Sequence, residues 1–149
     1  MSLKVSLSTL LIALSAIANN AAIADAPTPA SYALCMACHG PDGKGIPAGA
    51  LLMAPSLHKS ALVNAGDGEL LASVILTGIV KEDQKYLGMM APLAAALNSA
   101  QLTEVMNYLR QNFDNKAEPV TEEQVQGWIT KYAGQPSRKR ADLEALAAP

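Results

Sequence analysis

The second half of the chain has apolar residues at helical spacing. Between positions 99 and 113 they recur every three or four residues, which places them on one face of an α-helix. Ser99 stands in front of this segment as an N-cap. The pattern predicts an amphipathic helix with a buried stripe. The stripe consists of Leu102, Val105, Met106, Leu109 and Phe113.

Two shorter helices are predicted earlier in the chain. Thr28-Pro29 is a cap followed by proline at a first helical position, so a short helix should run into Cys38. Asp67 can cap a second helix, which Gly78 should end. No segment shows the apolar–polar alternation of a strand. We therefore expect an all-α fold.

The C-terminal part of the chain predicts two more helices. Thr121 and Gln124 form a capping box, and Gly134 with Pro136 should end the helix that it opens. One side of that helix is apolar. It carries Val125, Trp128, Ile129 and Tyr132.

A last short helix should follow Ser137. We expect Ser137 to cap it and Leu143 and Leu146 to face inward, with the basic run 138–140 solvated. Residues 119–149 are thus predicted to be a helical extension that packs on the preceding domain as a brace.

The first 24 residues have the layout of a secretory signal peptide. Lys4 precedes an apolar stretch from about Leu7 to Ala18, and a small-x-small cleavage site ends at Ala24. The stretch is short for a membrane span, and no basic residue follows to stop transfer, which disfavours an uncleaved anchor. We expect a mature chain that begins near Asp25, has no membrane span and is periplasmic.

Composition narrows the possible functions. Lys4 is the only charge in the signal segment, so its removal changes the net charge from −2 to −3. An acidic chain without a basic–aromatic pattern is not expected to bind nucleic acid. Large aromatic side chains are few: one Phe, one Trp and four Tyr. A domain with so thin a core would gain from a large apolar cofactor.

Both cysteines of the chain lie in the stretch 35–40, which reads CMACHG. On a helix, Cys35, Cys38 and His39 share one face. A redox dithiol, part of a metal site and a covalent haem are all possible chemistries. Two Cys and two His cannot build a four-cysteine zinc or iron–sulfur site, and no βαβ pattern supports a thioredoxin-like dithiol. CxxCH in an exported chain is the attachment signal for haem c.

Residues 29–115 resemble the class I monohaem cytochromes c. The resemblance rests on CMACHG followed by PDGKG, on APSLHK, and on GMMAPL followed by a C-terminal helix. It implies an all-α cytochrome c fold wrapped around one covalent haem c and its iron. In that fold the first helix crosses the long one, so Ala30 and Leu34 should meet Val105 and Leu109. Cys35 and Cys38 would form the thioethers, and His39 would be the proximal iron ligand. The Pro55 carbonyl would accept a hydrogen bond from His39.

The resemblance also implies a methionine as the second axial ligand. Met90, in a Gly- and Pro-bracketed loop, is our prediction, with Met89 as the alternative because Ala91 separates Met90 from Pro92. A methionine elsewhere is usually a core filler. His58 is a rival ligand, but it follows Pro55 on the proximal side, so we expect a surface or hydrogen-bonded histidine.

The predicted function is the transfer of single electrons by an exported monohaem cytochrome c, without enzymatic activity of its own. Its partners would be a donor dehydrogenase and an acceptor cytochrome or oxidase. The predicted division is a signal peptide at 1–24, a haem domain at 25–118 and the extension at 119–149. One alternative is that the chain is the haem subunit of a dehydrogenase, similar to cytochrome domains found with periplasmic quinoprotein dehydrogenases. A second alternative is a haem enzyme or gas-binding protein with a labile sixth ligand.

Overall fold

A computed structural model describes residues 27–81, 86 and 88–148. The predicted signal peptide at 1–24 lies outside these residues. Within them the chain is mainly helical, as expected, and no helix is long and apolar enough to cross a membrane. The helices of the described part are α1 (Ala33–His39), α2 (Ala61–Asn64), α3 (Glu69–Thr77), α4 (Ser99–Gln111), α5 (Glu122–Tyr132) and α6 (Arg140–Ala147).

A small antiparallel hairpin corrects the expectation that no strand is present. Strand β1 (Pro47–Ala48) pairs with β2 (Leu51–Leu52). Leu52 also forms an isolated parallel bridge with Tyr86. Strands of two residues are too short to show an alternating pattern, which is why periodicity did not reveal them.

Helix α4 is the long amphipathic helix, and its predicted stripe is buried from Leu102 to Leu109. The cap prediction was wrong by one residue. Asn98 is the N-cap, in a capping box with Gln101. The helix ends at Gln111, so Phe113 lies beyond it with φ 57 and packs against the core only in part.

The N-terminal segment crosses α4 through different residues than expected. A 3₁₀ turn at Ala30–Tyr32 precedes α1. Ala30 and Leu34 are exposed. The Ser31 hydroxyl instead donates to Glu104 on α4 at 2.6 Å, and the buried Tyr32 ring lies 5.1 Å from the ring of Tyr108.

Helix α3 is the most deeply buried element, because every residue from 71 to 77 is buried. Its N-cap is Gly68 rather than Asp67, whose carboxylate accepts a hydrogen bond from the Glu69 N–H at 3.0 Å. Gly78 follows the last turn, as predicted. Helix α5 packs on α3 and α4, while α6 packs on α2 and α3.

The extension matches the prediction for α5 but not for α6. Thr121 and Gln124 form the expected capping box. The Ser137 hydroxyl does not cap α6; it donates to the Thr77 carbonyl at 2.7 Å, and Lys139 is the N-cap. Leu143 is fully buried, but Leu146 is 59% exposed and does not face inward.

Arg110 joins three segments beneath the core. Its side chain is fully buried. The guanidinium donates to four backbone carbonyls at 2.6–3.3 Å. Burial lowers its pKa, although Asp67 and Glu118 oppose this. Arg110 thereby fixes three segments relative to α4: α2, the loop that leads to α3, and the segment that leads into the extension. The four acceptors are the carbonyls of Val63, Ala65, Gly66 and Glu118.

Candidate functional site

Helix α1 presents both thiols and an imidazole to one large cavity. Cys35, Cys38 and His39 all line it, as positions three and four apart on a helix can. The two cysteines are not joined in a disulfide. Gly40 follows with φ 76, and its N–H donates to the Met36 carbonyl at 3.0 Å. The helix therefore ends directly after His39, beside the loop that follows.

Burial shifts the pKa values of Cys35 and His39 in opposite directions. It raises the pKa of the Cys35 thiol to about 11, since a thiolate would lose its hydration. Burial also lowers the pKa of His39, and this outweighs the opposing effect of its backbone hydrogen bond. Near neutral pH, Cys35 is a thiol and His39 a neutral imidazole, the form that binds metals.

The tautomer of His39 is fixed by Pro55. His39 Nδ1 lies 3.0 Å from the Pro55 carbonyl oxygen, which can only accept a hydrogen bond. Nδ1 therefore carries the proton and donates, and Nε2 retains its lone pair. This is the hydrogen bond expected from the sequence, and such a contact orients a ligating imidazole and raises its basicity.

The loop between His39 and Pro55 is tied back to α1. The Gly45 N–H donates to the His39 carbonyl at 2.8 Å, and the Leu57 N–H donates to the Gly43 carbonyl at 2.7 Å. Gly45 has φ 88, and a Cβ there would overlap the Ala54 carbonyl. Glycine is therefore required at this close approach, which brings the proline loop to the imidazole.

The side chain of His58 forms hydrogen bonds to loop residues and is not among the described residues that line the cavity. Its Nε2 lies 2.8 Å from the Asp42 carbonyl oxygen and its Nδ1 lies 3.2 Å from the Asp114 carboxylate. Both partners are acceptors, so both ring nitrogens donate when the imidazole is protonated. The hydrogen bond to Asp42, followed by that to Asp114, raises the pKa of His58. His58, in the loop that follows Pro55, is thus joined to the loop after α1 through Asp42 and to the segment after α4 through Asp114.

The methionine loop forms another part of the cavity wall. The Ile79 N–H donates to the Met90 carbonyl at 2.9 Å, and the Met90 N–H donates to the Ile79 carbonyl at 3.2 Å. Gly78 has φ 75, and a Cβ there would overlap the Met90 carbonyl. Met89 and Met90 both line the cavity. Met90 is half-buried against the core, whereas Met89 is 53% exposed.

The cavity has a volume of about 580 Å³, within the range of roughly 300–1,000 Å³ that is typical of ligand and cofactor sites. Its wall is mostly apolar and is supplied by helices α2, α3 and α4 and by Ile79, two residues beyond α3. The apolar side chains from these elements are Leu62, Val63, Leu71, Val74, Ile75, Ile79 and Leu109.

Sequence reasoning did not place three other lining residues in the site. Met53 follows the hairpin and lines the cavity as a third thioether. Arg140 and Glu144 of α6 also line it, and the Arg140 guanidinium lies 4.9 Å from the centre of the Tyr86 ring. The basic run at 138–140 is therefore not simply solvated. No local motif marks Arg140 and Glu144, because only the packing of the extension brings them to the cavity.

The donor set and the cavity fit a covalently attached haem. Two thiols and a neutral imidazole stand on one helix, thioether side chains lie on other segments, and apolar residues line the space between them. The thiols suit thioether bonds to the porphyrin, and imidazole with thioether is the axial ligand pair of electron-transfer cytochromes.

One family model, described as Cytochrome c, matches residues 26–113. No curated protein matches the chain. The matched segment contains the thiol–imidazole helix, the proline loop, the methionine loop and α4. The match confirms the predicted fold and cofactor: the protein has the mainly α-helical cytochrome c fold, carries covalently bound haem c with its iron, and functions in electron transfer. The chain belongs to the cytochrome c family.

Proposed function

We propose that the protein is an exported class I monohaem cytochrome that shuttles single electrons between redox proteins of the bacterial periplasm. Cys35 and Cys38 hold the haem through thioethers, and His39 is the proximal ligand, oriented by Pro55. Met90 is the distal ligand. One observation carries the proposal: α1 and the segment paired with Ile79 bring these side chains to one apolar cavity.

Bound haem c supplies one-electron redox chemistry at its iron. The chain fixes the ligands, so that little rearranges when the oxidation state changes. His39 is held by its hydrogen bond to Pro55, and Met90 by two backbone hydrogen bonds to Ile79. The apolar wall excludes water, and together with a thioether ligand it favours the ferrous state and raises the reduction potential.

Attachment is tested by replacing both thiols. In Cys35→Ala/Cys38→Ala, acid–acetone extraction should remove all colour from whatever protein accumulates. Wild type, which should keep its haem under the same extraction, is the reference. A double variant that remains folded and coloured after extraction would refute the assignment of the thioethers.

The distal ligand is tested with three matched variants. Met90→Ala should lose the methionine–iron charge-transfer band of the ferric protein, lower the reduction potential and admit carbon monoxide. Met89→Ala should retain the band because that side chain is exposed. Met53→Ala, which removes the third thioether of the wall, should also retain it. Loss of the band in one of these two variants instead would transfer the ligand role to that residue, and free binding of carbon monoxide by wild type would favour a gas-binding protein.

We further propose that residues 1–24 are a cleaved signal, that 25–118 form the haem domain and that 119–149 form a bracing extension. N-terminal sequencing of protein from the periplasmic fraction should begin at or close to Asp25. A protein that retains Lys4, or that stays in the cytoplasm, would contradict the export proposal.

Redox partners are proposed to dock where the cavity meets the surface. Leu34 and Met89 both line the cavity and are 47% and 53% exposed, so they offer an apolar rim. A second function, haem subunit of a quinoprotein-type dehydrogenase, is favoured by Leu146, which the extension leaves exposed. Co-purification with a dehydrogenase that is lost in Leu146→Ser, but kept in Met89→Ser, would select this alternative.

A further inference from the structure

Helix α6 places one positive and one negative side chain on the wall of the cavity. Arg140 and Glu144 are four positions apart, so they share a face of the helix, and both line the cavity. Both lie beyond residues 26–113, the part that matches the cytochrome c family. The extension therefore contributes charges to a site that is otherwise built by the family domain.

Backbone contacts fix the position of α6. The Val80 N–H donates to the Arg138 carbonyl at 3.0 Å, in a parallel bridge between Ile79 and Arg138. Leu143 is fully buried and packs in one cluster with Val74 and Ile79. The start of α6 is therefore held beside the end of α3, and its position does not depend on the two charged side chains alone.

The two charges differ in exposure. Arg140 is half-buried and its guanidinium lies over the Tyr86 ring at 4.9 Å, an arrangement in which the ring face attracts the cation. Glu144 is exposed, so water and salt screen its charge more strongly. The positive charge should therefore act on the cavity more strongly than the negative one.

We propose that Arg140 and Glu144 tune the reduction potential of the haem in opposite directions, with Arg140 raising it and Glu144 lowering it. This inference rests on the proposed function, which assigns the cavity to the haem. Reduction adds one negative charge at the iron centre. A nearby cation favours the reduced form and a nearby carboxylate favours the oxidised form, because the Coulomb energy of each pair changes with that electron. The extension is thus a functional part of the redox site.

The test is potentiometric titration of the holo-protein in low salt. Arg140→Gln should shift the equilibrium towards the oxidised form about threefold to tenfold, a fall of ~28–59 mV for a one-electron couple. Glu144→Gln should raise the potential by a smaller amount, and the double variant should return towards wild type. Arg140→Lys, which keeps the charge, should retain most of the wild-type value.

Two neighbours on the same segment serve as controls. Lys139 and Asp142 are exposed and are absent from the cavity wall as described. Lys139→Gln and Asp142→Asn change the net charge by the same amounts as the test variants, yet should leave the potential unchanged. In high salt the shift of Glu144→Gln should shrink more than that of Arg140→Gln.

Potential shifts of opposite sign are the signature that a merely structural role would not produce. Shifts in the same direction, no shift in either variant, or equal shifts in the controls would overturn the inference. If Arg140→Gln yields no holo-protein, Glu144→Gln decides the test: a higher reduction potential supports the inference, and an unchanged one overturns it. The pyridine haemochrome spectrum detects covalent haem independently of the potential. The absence of covalent haem in wild type would contradict the proposed function rather than this inference alone.

Discussion

The apo-protein, with both thiols reduced and no haem attached, is predicted to be largely unfolded at 25 °C. The cavity that would be left is lined by residues of α1, α2, α3 and the methionine loop. Its wall residues belong to segments that are far apart in sequence, from Leu34 to Glu144. Without the haem, these segments lose the surface that they share.

The magnitude follows from the volume of the cavity. An enclosed, empty cavity costs about 24 cal/mol per Å³ when its walls do not collapse. The 580 Å³ found here therefore sets an upper limit on the order of 14 kcal/mol, because this cavity opens to solvent beside Leu34 and Met89. Collapse of the walls and entry of water reduce this cost. One third of it, about 5 kcal/mol, still equals the whole stability of a marginal domain. The native arrangement of the helices therefore should not persist without haem.

Trp128 offers a direct assay. It is the only tryptophan of the chain and is buried in α5, on the extension rather than in the segment that carries the cysteines. Protein expressed without the haem-attachment machinery should show the emission of a solvent-exposed indole, and circular dichroism should show much less helix than the holo-protein. Holo-protein of the same sequence is the control for helix content, and a tryptophan-containing peptide is the control for emission.

A contrary result is well defined. Apo-protein with near-native helix content, blue-shifted Trp128 emission and cooperative thermal melting would refute the reasoning. The extension would then be an independent core, because α5 and α6 would hold α3 and α4 in place without the haem.

Three further outcomes are expected. Arg110→Met should lower the free energy of unfolding of the holo-protein by about 1–3 kcal/mol, because it leaves backbone carbonyls unsatisfied. Lys116 is exposed, so Lys116→Met should change this free energy by less than about 0.5 kcal/mol in urea titrations, and equal effects would contradict the role of the guanidinium. Hydrogen bonds to the Asp42 carbonyl and to the Asp114 carboxylate raise the pKa of His58. The contribution of protonated His58 to stability should therefore be complete below the unfolded-state pKa of about 6.5 and be lost as pH rises through the higher folded-state pKa. His58→Gln should flatten this pH dependence of stability, and an unchanged profile would contradict the role of His58. Gly78→Ala should displace the methionine loop, weaken the charge-transfer band and admit carbon monoxide, and a wild-type spectrum would show that the loop accommodates a Cβ.

Features with local causes were predictable from the sequence. The capping box of α5 depends only on Thr121 and Gln124, and the structure has it as expected. The cap of α4 was misplaced by one residue because Asn98 and Ser99 are both good N-caps, and local sequence does not decide between them. The Asp67 prediction failed in a similar way, since Gly68 supplies the cap with a positive φ of 101.

The first helix shows how a small local change redirects a face. A 3₁₀ turn advances by three residues per turn and an α-helix by 3.6. Because the segment begins as 3₁₀ at Ala30–Tyr32, the residues that face α4 are Ser31 and Tyr32 rather than Ala30 and Leu34. Leu34 instead reaches the edge of the cavity. The amino-acid pattern alone does not reveal this change of phase.

Placement of the extension depends on long-range packing, and the composition of α3 indicates it although its periodicity does not. Helix α3 is apolar on almost all sides, and helices of that kind are buried all round. Its two buried hydroxyls, Ser73 and Thr77, donate to carbonyls of their own helix, so they need no water. A haem covers only one side of such a helix. The other sides require partners, which α5 and α6 supply.

This packing makes Ile79 the connection between the extension and the redox site. Its backbone forms an antiparallel bridge with Met90 and a parallel bridge with Arg138, while its side chain packs with Leu143 of α6. If α6 moved away, Ile79 would lose its contacts with the extension, and its hydrogen bonds to Met90 would be less well held. A helical extension joined to the site at this point should affect the surroundings of the iron even though none of its residues is an expected iron ligand. A change in the position of the extension should consequently change the position of the methionine loop, and the reverse, because both are hydrogen-bonded to the backbone at 79–80.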